Sequence, residues 1–106
     1  MATYKVLAQS APSATTATTL LTATSATIVS TLNASNIGAT QDTIRIAVRP
    51  AGATLANQHY IAYGVPLAAG AVFSIQGGIT LANTDVITVY STTGNTSFSA
   101  FGSDGN

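Results

Sequence analysis

Alternation of apolar and polar residues is clearest in residues 41–63, and we expect the rest of the chain to be organised around this stretch. Residues 43–49 read TIRIAVR, where isoleucine and valine recur at every second position, the period of a half-buried strand. Pro50 ends this strand, because proline has no amide hydrogen to donate to a sheet ladder. A turn at residues 51–52 and an apolar run at 60–63 then predict a returning strand.

The same alternation predicts strands along the remainder of the chain. They are expected at residues 3–9, 18–23, 26–36, 71–76, 79–81, 85–91 and 96–101. Gly38 follows the third of these stretches and supplies a turn, which predicts a hairpin with residues 43–49. Thr93-Gly94-Asn95 predicts a second hairpin turn, and the polar residues 102–106 are expected to fray.

Three details of this pattern concern individual strands. In residues 26–36 the period of two places Ile28, Ser30, Leu32 and Ala34 on one face. Lys5 lies inside the first strand, and a lysine within a strand suits the edge of a sheet. Gly77-Gly78 interrupts the apolar residues of 71–81 and predicts a turn or a bulge.

The spacing of the predicted strands indicates the fold class. Eight or nine short strands recur every eight to twelve residues, and no convincing helix interrupts them. A chain of 106 residues is long enough for one core. The prediction is therefore an all-β protein, a single antiparallel β-sandwich domain over residues 1–106, jelly-roll-like in architecture. Its two sheets are expected to cover each other's apolar faces.

Charge is the unusual feature of the composition. Only 6% of residues are charged, against about 25% in a typical domain. Three basic and three acidic residues give a net charge of zero, so no basic patch for nucleic acid is expected. A surface with few charges has little repulsion and docks with little desolvation, which predicts a subunit of an assembly. A monomer with a bland surface is the alternative.

The apolar runs, the first ten residues and the cysteine count indicate whether a membrane helix, a signal peptide or disulfides are expected. Residues 60–73, the longest run without strongly polar side chains, contain glycines and a proline and are too short for a membrane helix. The first ten residues lack the pattern of a signal peptide, so we expect a soluble protein made in a cytoplasm. No cysteine is present, which excludes disulfides and thiol chemistry.

Few residues are available for catalysis or for a metal site. The chain has one histidine, His59, and three aspartates, each in a context where aspartate commonly bonds its own backbone. No nucleophile motif, phosphate-binding loop or set of metal ligands is present. We therefore predict that the protein is not an enzyme and that it holds no cofactor and no metal. His59 is expected to bond the backbone nearby or to pack beside Tyr60.

Interface residues are predicted from side-chain type, since arginine and tyrosine are enriched where proteins meet. Arg45 and Arg49 are candidates to pair with carboxylates of a partner chain. Tyr60 and Tyr63 are candidates of the aromatic kind, as are the two remaining tyrosines, and His59 would titrate near neutral pH at such a contact. The alternative is that the tyrosines belong to the core or to an ordinary sheet surface.

The order of several segments resembles a group of small virion structural proteins of tailed bacteriophages, including cyanophages. The resemblance covers nearly the whole chain and is carried by ATYKVLAQSAPSATT, NIGAT, RIAVRPAG, NQHYIAYGVPLAAG, GITLANTDVITVY and FSAFGSD. The chain departs from these proteins at residues 20–24, LLTAT, where they tend to carry Leu-Tyr-Thr-Val-Pro. That difference leaves the conformation of the second strand open.

The resemblance implies a component of the virion, synthesised in the bacterial host cytoplasm, and it brings no catalytic residues. It implies first a capsid decoration (cement) protein, a homotrimer that bridges neighbouring subunits of the major capsid protein. A small subunit of the tail, baseplate or fibre is the second interpretation. A carbohydrate-binding adhesive module that uses surface tyrosines is a third, and a hydrolase is the remotest.

Overall fold

A computed structural model describes residues 3–104, which form eight strands and two single-turn 3-10 segments. The strands are β1 (Thr3–Ser10), β2 (Thr18–Thr22), β3 (Thr27–Asn36), β4 (Asp42–Arg49), β5 (Tyr60–Leu67), β6 (Val72–Leu81), β7 (Val86–Ser91) and β8 (Thr96–Asp104). The 3-10 segments, Pro50–Gly52 and Asn57–His59, both lie between β4 and β5. Within residues 3–104, no helix has the length and apolar character needed to cross a membrane.

The strands form two four-stranded antiparallel sheets. The order of the first sheet is β1-β8-β3-β6, and the order of the second is β2-β7-β4-β5. Strand β1 pairs with β8, β2 with β7, β3 with β6 and β4 with β5, so the chain resembles one long hairpin bent between β4 and β5. The predicted all-β antiparallel sandwich is confirmed. Strand β1, which carries Lys5, lies at a sheet edge as predicted.

The core lies between the inner faces of the two sheets. Its largest fully buried side chains are Phe98, Leu32, Ile44, Ile46, Ile87, Val29 and Val89. The period of two in β4 and β7 correctly grouped core residues of these strands, Ile44 with Ile46 and Ile87 with Val89, because the two central strands pair with each other without a register shift. Val48 at the end of β4 is half-buried and packs against the edge of this core.

A bulge in β3 overturns the predicted face of that strand. The register of β3 with both β6 and β8 shifts between Val29 and Thr31. Val29 is therefore buried at 1% exposure, whereas Ile28 is 52% exposed. One extra residue reverses which side chains face the core, and a prediction from strict alternation of apolar and polar residues does not include such a residue. Only the later half of the predicted face, Leu32 and Ala34, points inward.

The same bulge explains two features of the neighbouring strands. Residues 77–78 of β6 lie opposite the single residue 30 of β3, so the bulge predicted at Gly77-Gly78 is confirmed, and β6 continues through it as one strand and not as the two that were predicted. Gly102 of β8 packs so closely on the backbone of Ile28 that a Cβ atom would overlap the carbonyl oxygen. Residues 102–104, which were expected to fray, are therefore part of β8, and the end of the predicted tail, 105–106, lies outside the described residues.

Both predicted hairpins are wrong in their pairing, although the turns occur where they were expected. Strands β3 and β4 belong to different sheets, and so do β7 and β8. The turns after Asn36 and Ser91 therefore carry the chain from one sheet to the other. Turn residues set where the chain reverses, but they do not determine whether the next strand pairs with the previous one.

Candidate functional site

Asp42 is the centre of a buried polar cluster at one end of the sandwich. Its carboxylate accepts hydrogen bonds from the hydroxyls of Ser91 and Thr96, and from the backbone N–H groups of Thr43 (2.7 Å) and Thr93 (3.0 Å). Asp42 is 1% exposed, and the two hydroxyl-bearing residues are fully buried. We call Asp42, Ser91 and Thr96 the Asp42 cluster; it joins β4 and β7 of one sheet to β8 of the other.

The pKa of Asp42 shows how completely its charge is satisfied. Burial raises the pKa, but the hydrogen bonds from Ser91, Thr96 and the two backbone groups outweigh it and lower the pKa to about 2. The carboxylate is therefore ionised at neutral pH. Because its bonds are internal and its surface is closed, the cluster is suited to hold the sheets together and not to receive a ligand.

Asn36 completes this end of the molecule. Its Nδ2 donates to the carbonyl oxygens of Thr40 (2.8 Å) and Leu67 (2.9 Å), and its Oδ1 accepts a bond from the N–H of Gly38 (2.9 Å). Leu67 is also the residue of β5 that pairs with Asp42. The turn between β3 and β4 is thus held by bonds to the protein itself.

Two of the predicted interface residues have internal partners. Arg49 donates from Nε to the hydroxyl of Thr88 (3.0 Å) and from Nη1 to the carbonyl oxygen of Ala53 (3.0 Å). His59 is 8% exposed, and its Nδ1 accepts a hydrogen bond from the N–H of Ala56 (3.0 Å), so the predicted backbone bond is confirmed. In the part of the chain that the structure describes, no three histidine, cysteine or acidic residues are grouped to hold a metal ion.

Arg45 lies on the outer face of the second sheet between two tyrosines. It pairs with Tyr63 of β5 on one side and with Tyr90 of β7 on the other. Its guanidinium carbon lies 4.4 Å from the centroid of each ring, a distance suited to cation–π attraction. Tyr60 packs edge-on against Tyr63 with 4.8 Å between ring centroids. We call Arg45, Tyr63 and Tyr90 the Arg45 clamp.

The guanidinium of Arg45 has donors that the described residues do not use. Its Nε is buried without a hydrogen-bond partner, and no hydrogen bond or ion pair joins the guanidinium to another residue of 3–104. Tyr63 is 61% exposed, so the clamp opens to solvent on this side. A shallow depression of about 470 Å³, lined by Asn57, Tyr60 and Tyr63, lies beside it.

The structure thus brings Arg45, Tyr60 and Tyr63 together, as candidates that the sequence had named separately. Tyr90 joins them by cross-strand pairing, whereas Arg49 and His59 are used internally. Sequence reasoning missed the Asp42 cluster, because Ser91 and Thr96 follow Asp42 by 49 and 54 positions and carry no motif.

Comparison with known proteins identified no relative of this chain. No protein-family model, curated protein or solved structure matches this chain. A function must therefore be inferred from the strand order, the distribution of charge and the sequence resemblance.

Proposed function

We propose that this chain is a structural protein of a bacteriophage virion, and more specifically a capsid decoration protein that binds major capsid subunits. The observation that carries the proposal is the pairing of the eight strands. It is joined by the resemblance of the sequence to small virion proteins of tailed phages and by a surface with few charges. The proposal places the protein in the virion, without a cofactor and without catalytic activity.

We infer from the strand pairing that the sandwich has jelly-roll topology. In a jelly roll, a long antiparallel hairpin is rolled up so that the first strand pairs with the eighth, the second with the seventh, and so on inward. All four such pairings occur here. Jelly rolls are frequent in viral capsid proteins, but also in lectins and cupins, and a fold alone does not select among them. The sequence resemblance favours the viral group.

The outer face of the first sheet supports a role in contacts between proteins. Gln9, Ser99, Asn33 and Ser74 occupy one row across its four strands. These side chains bond to each other in pairs, Ser74 to Asn33 at 2.7 Å and Gln9 to Ser99 at 3.4 Å. Uncharged groups of this kind can exchange partners with a docking protein at a small desolvation cost.

The edge strand β6 supports self-association of the chain, which the proposed homotrimer requires. It is ten residues long, VFSIQGGITL, and contains neither a charged residue nor a proline. Edge strands normally carry such residues, which prevent pairing with another chain. Val72 on this edge is 58% exposed. Light scattering during size-exclusion chromatography is expected to give three times the 10.6 kDa mass of the chain, and a monomer at micromolar concentration would contradict the homotrimer.

Copy number in purified virions tests the proposal. Quantitative mass spectrometry of virions is expected to find the protein in a simple ratio to the major capsid protein. Virions that lack it are expected to release DNA at a lower temperature. A few copies confined to one vertex would favour the tail, baseplate or fibre interpretation, and absence from purified virions would overturn the proposal.

A carbohydrate-binding module is a second candidate, favoured by the depression beside Tyr60 and Tyr63. Its volume of about 470 Å³ falls in the range of small-ligand sites, and the Asn57 amide and two aromatic rings line it. The isolated protein should then bind glycans on an array, and Tyr63→Ala should weaken binding. Uniform lack of binding across the array would exclude this candidate.

A further inference from the structure

We propose that the Arg45 clamp binds a carboxylate on an acidic segment of a partner protein. The rings of Tyr63 and Tyr90 pack against the guanidinium from both sides, each 4.4 Å from its central carbon. The N–H bonds of a guanidinium lie in its plane and form a fork that matches the two oxygens of a carboxylate. Both rings contact the guanidinium of Arg45, and no described residue accepts a hydrogen bond from it, so its donors are left for an acceptor from outside the chain.

The charge balance of the chain indicates that this acceptor comes from a different protein. Asp42 is buried in its own cluster, and Asp104 pairs with Lys5 at 3.0 Å. Asp85 accepts bonds from the backbone N–H groups of Ala51 (2.8 Å) and Ala82 (2.9 Å). A second copy of the chain would bring the same three occupied aspartates, so charge complementarity calls for a partner with an acidic residue of its own.

The surroundings of the clamp favour a protein over a sugar as the source of the carboxylate. Tyr63, on the edge strand β5, is 61% exposed, and Ile61, two positions before it in that strand, is 48% exposed. Arginine and tyrosine are residue types in which the hot spots of protein interfaces are enriched, and the clamp consists of these two types. An acidic residue next to an apolar one would match both features.

Arg45 is also held in place before a partner arrives. Ordering a free arginine side chain on binding costs free energy, and a side chain already stacked between rings avoids much of that cost. Arg49, in the same strand, differs because its donors are already bonded to Thr88 and Ala53. The two arginines therefore form a natural pair of test and control. The inference rests on the proposed function and adds to it the surface and the chemistry of the contact.

The probe is the acetylated and amidated peptide Gly-Ser-Glu-Leu-Ser-Gly, titrated into the ¹⁵N-labelled full-length chain and followed by NMR. Its counterpart has glutamine in place of glutamate. The glutamate peptide is expected to shift the Arg45 Nε–H resonance and the backbone amides of Tyr63 and Tyr90. The glutamine peptide is expected to bind at least about tenfold more weakly, since it lacks the charge-assisted bonds.

Two matched variants distinguish the contribution of the planar guanidinium of Arg45 from that of its positive charge. Arg45→Lys keeps the positive charge but loses the planar fork, and it is expected to weaken binding about tenfold. Arg49→Lys should leave binding unchanged, and the spectra of both variants report whether the fold is intact. Equal binding of the two peptides, or equal weakening by the two substitutions, would overturn the proposal.

Two further outcomes also decide the matter. If sodium glucuronate binds at the Arg45 clamp and the glutamate peptide does not, the proposal of a protein partner is wrong and the partner is an acidic sugar. If the glutamate peptide shifts only the resonances of residues outside the Arg45 clamp, it binds elsewhere and the proposed site is wrong. Neither result bears on copy number in the virion, so failure of this inference is distinguishable from failure of the proposed function.

Discussion

Asp42 and Arg45 lie three positions apart on the same strand, and they use their charges in opposite ways. Asp42 points into the sandwich and accepts four hydrogen bonds at 1% exposure. Arg45 points out of it, packs between two rings, and makes no hydrogen bond through its guanidinium to a described residue. Strand alternation places side chains at odd spacing on opposite faces, which separates the two roles.

The difference shows how a chain with few charges can use them. A buried carboxylate is tolerable only when its hydrogen bonds are complete, so Asp42 contributes to the fold. A clamped arginine whose donors no described residue uses contributes little to the fold, and under our proposal its charge serves a partner. The comparison predicts that Asp42 substitutions act on stability and that Arg45 substitutions act on binding.

The largest effect is expected for Asp42→Ala. The substitution leaves two buried hydroxyls and two backbone N–H groups without their acceptor, and it should lower the free energy of unfolding by about 3–5 kcal/mol. Urea denaturation followed by circular dichroism measures this. Lys5→Gln, which removes a partly exposed ion pair with Asp104, is the control and should cost less than about 1 kcal/mol. Similar losses of unfolding free energy in the two variants would contradict the predicted difference between the buried Asp42 and a partly exposed ion pair.

Acid should remove the contribution of Asp42 in a defined pH window. Its pKa in the folded protein is about 2, below the ordinary 3.8, so the ionised carboxylate stabilises the fold. This contribution is complete above the ordinary value and is lost as the pH falls from about 4 toward 2, a change of about 2 kcal/mol.

Urea titrations at several pH values, on the natural chain and on Asp42→Asn, measure this contribution. The difference in unfolding free energy between the two proteins should shrink across the window. Hydrogen bonds from the N–H groups of Ala51 and Ala82 also lower the pKa of Asp85, and the acid dependence from that group should remain in the variant. A difference that stays constant down to pH 2 would contradict the assignment to Asp42.

A smaller loss is expected for Ser91→Ala. The variant removes one donor to Asp42 and the acceptor for the N–H of Gly94, and it should cost about 1 kcal/mol or somewhat more. Combined with Asp42→Ala in a double-mutant cycle, the two losses should not add, because the residues share a bond. Ser30→Ala, on an exposed hydroxyl, should change stability by less than about 0.5 kcal/mol.

A smaller effect on stability than that of Ser91→Ala is expected for Arg45→Gln. Cation–π contacts at exposed sites contribute about 0.5–1 kcal/mol, and the glutamine retains part of the packing against the rings. The variant should therefore unfold within about 1 kcal/mol of the natural chain and keep its acid dependence. A loss as large as that of Asp42→Ala would make the clamp a structural element and would remove the contrast between the two residues.

The local pattern of apolar and polar residues was sufficient to predict most of the strands. The alternation of β4 and β7, the proline after β4 and the lysine of edge strand β1 act through neighbouring residues, so they could be interpreted without knowledge of the fold. The same kind of information named Arg45, Tyr60 and Tyr63 one at a time. It failed at the bulge after Val29, because one extra residue there depends on the register with β6 and β8.

Residue order alone determined an all-strand chain with few charges and a short set of aromatic and basic candidates. Only the tertiary structure decided which strands pair, which turns cross between the sheets, and which charged residues find partners. The physical reason is distance along the chain. Asp42 meets Ser91 and Thr96 across 49 and 54 positions, and Arg45 meets Tyr90 through the pairing of β4 with β7. Such contacts depend on how the two sheets assemble, and no local period records that.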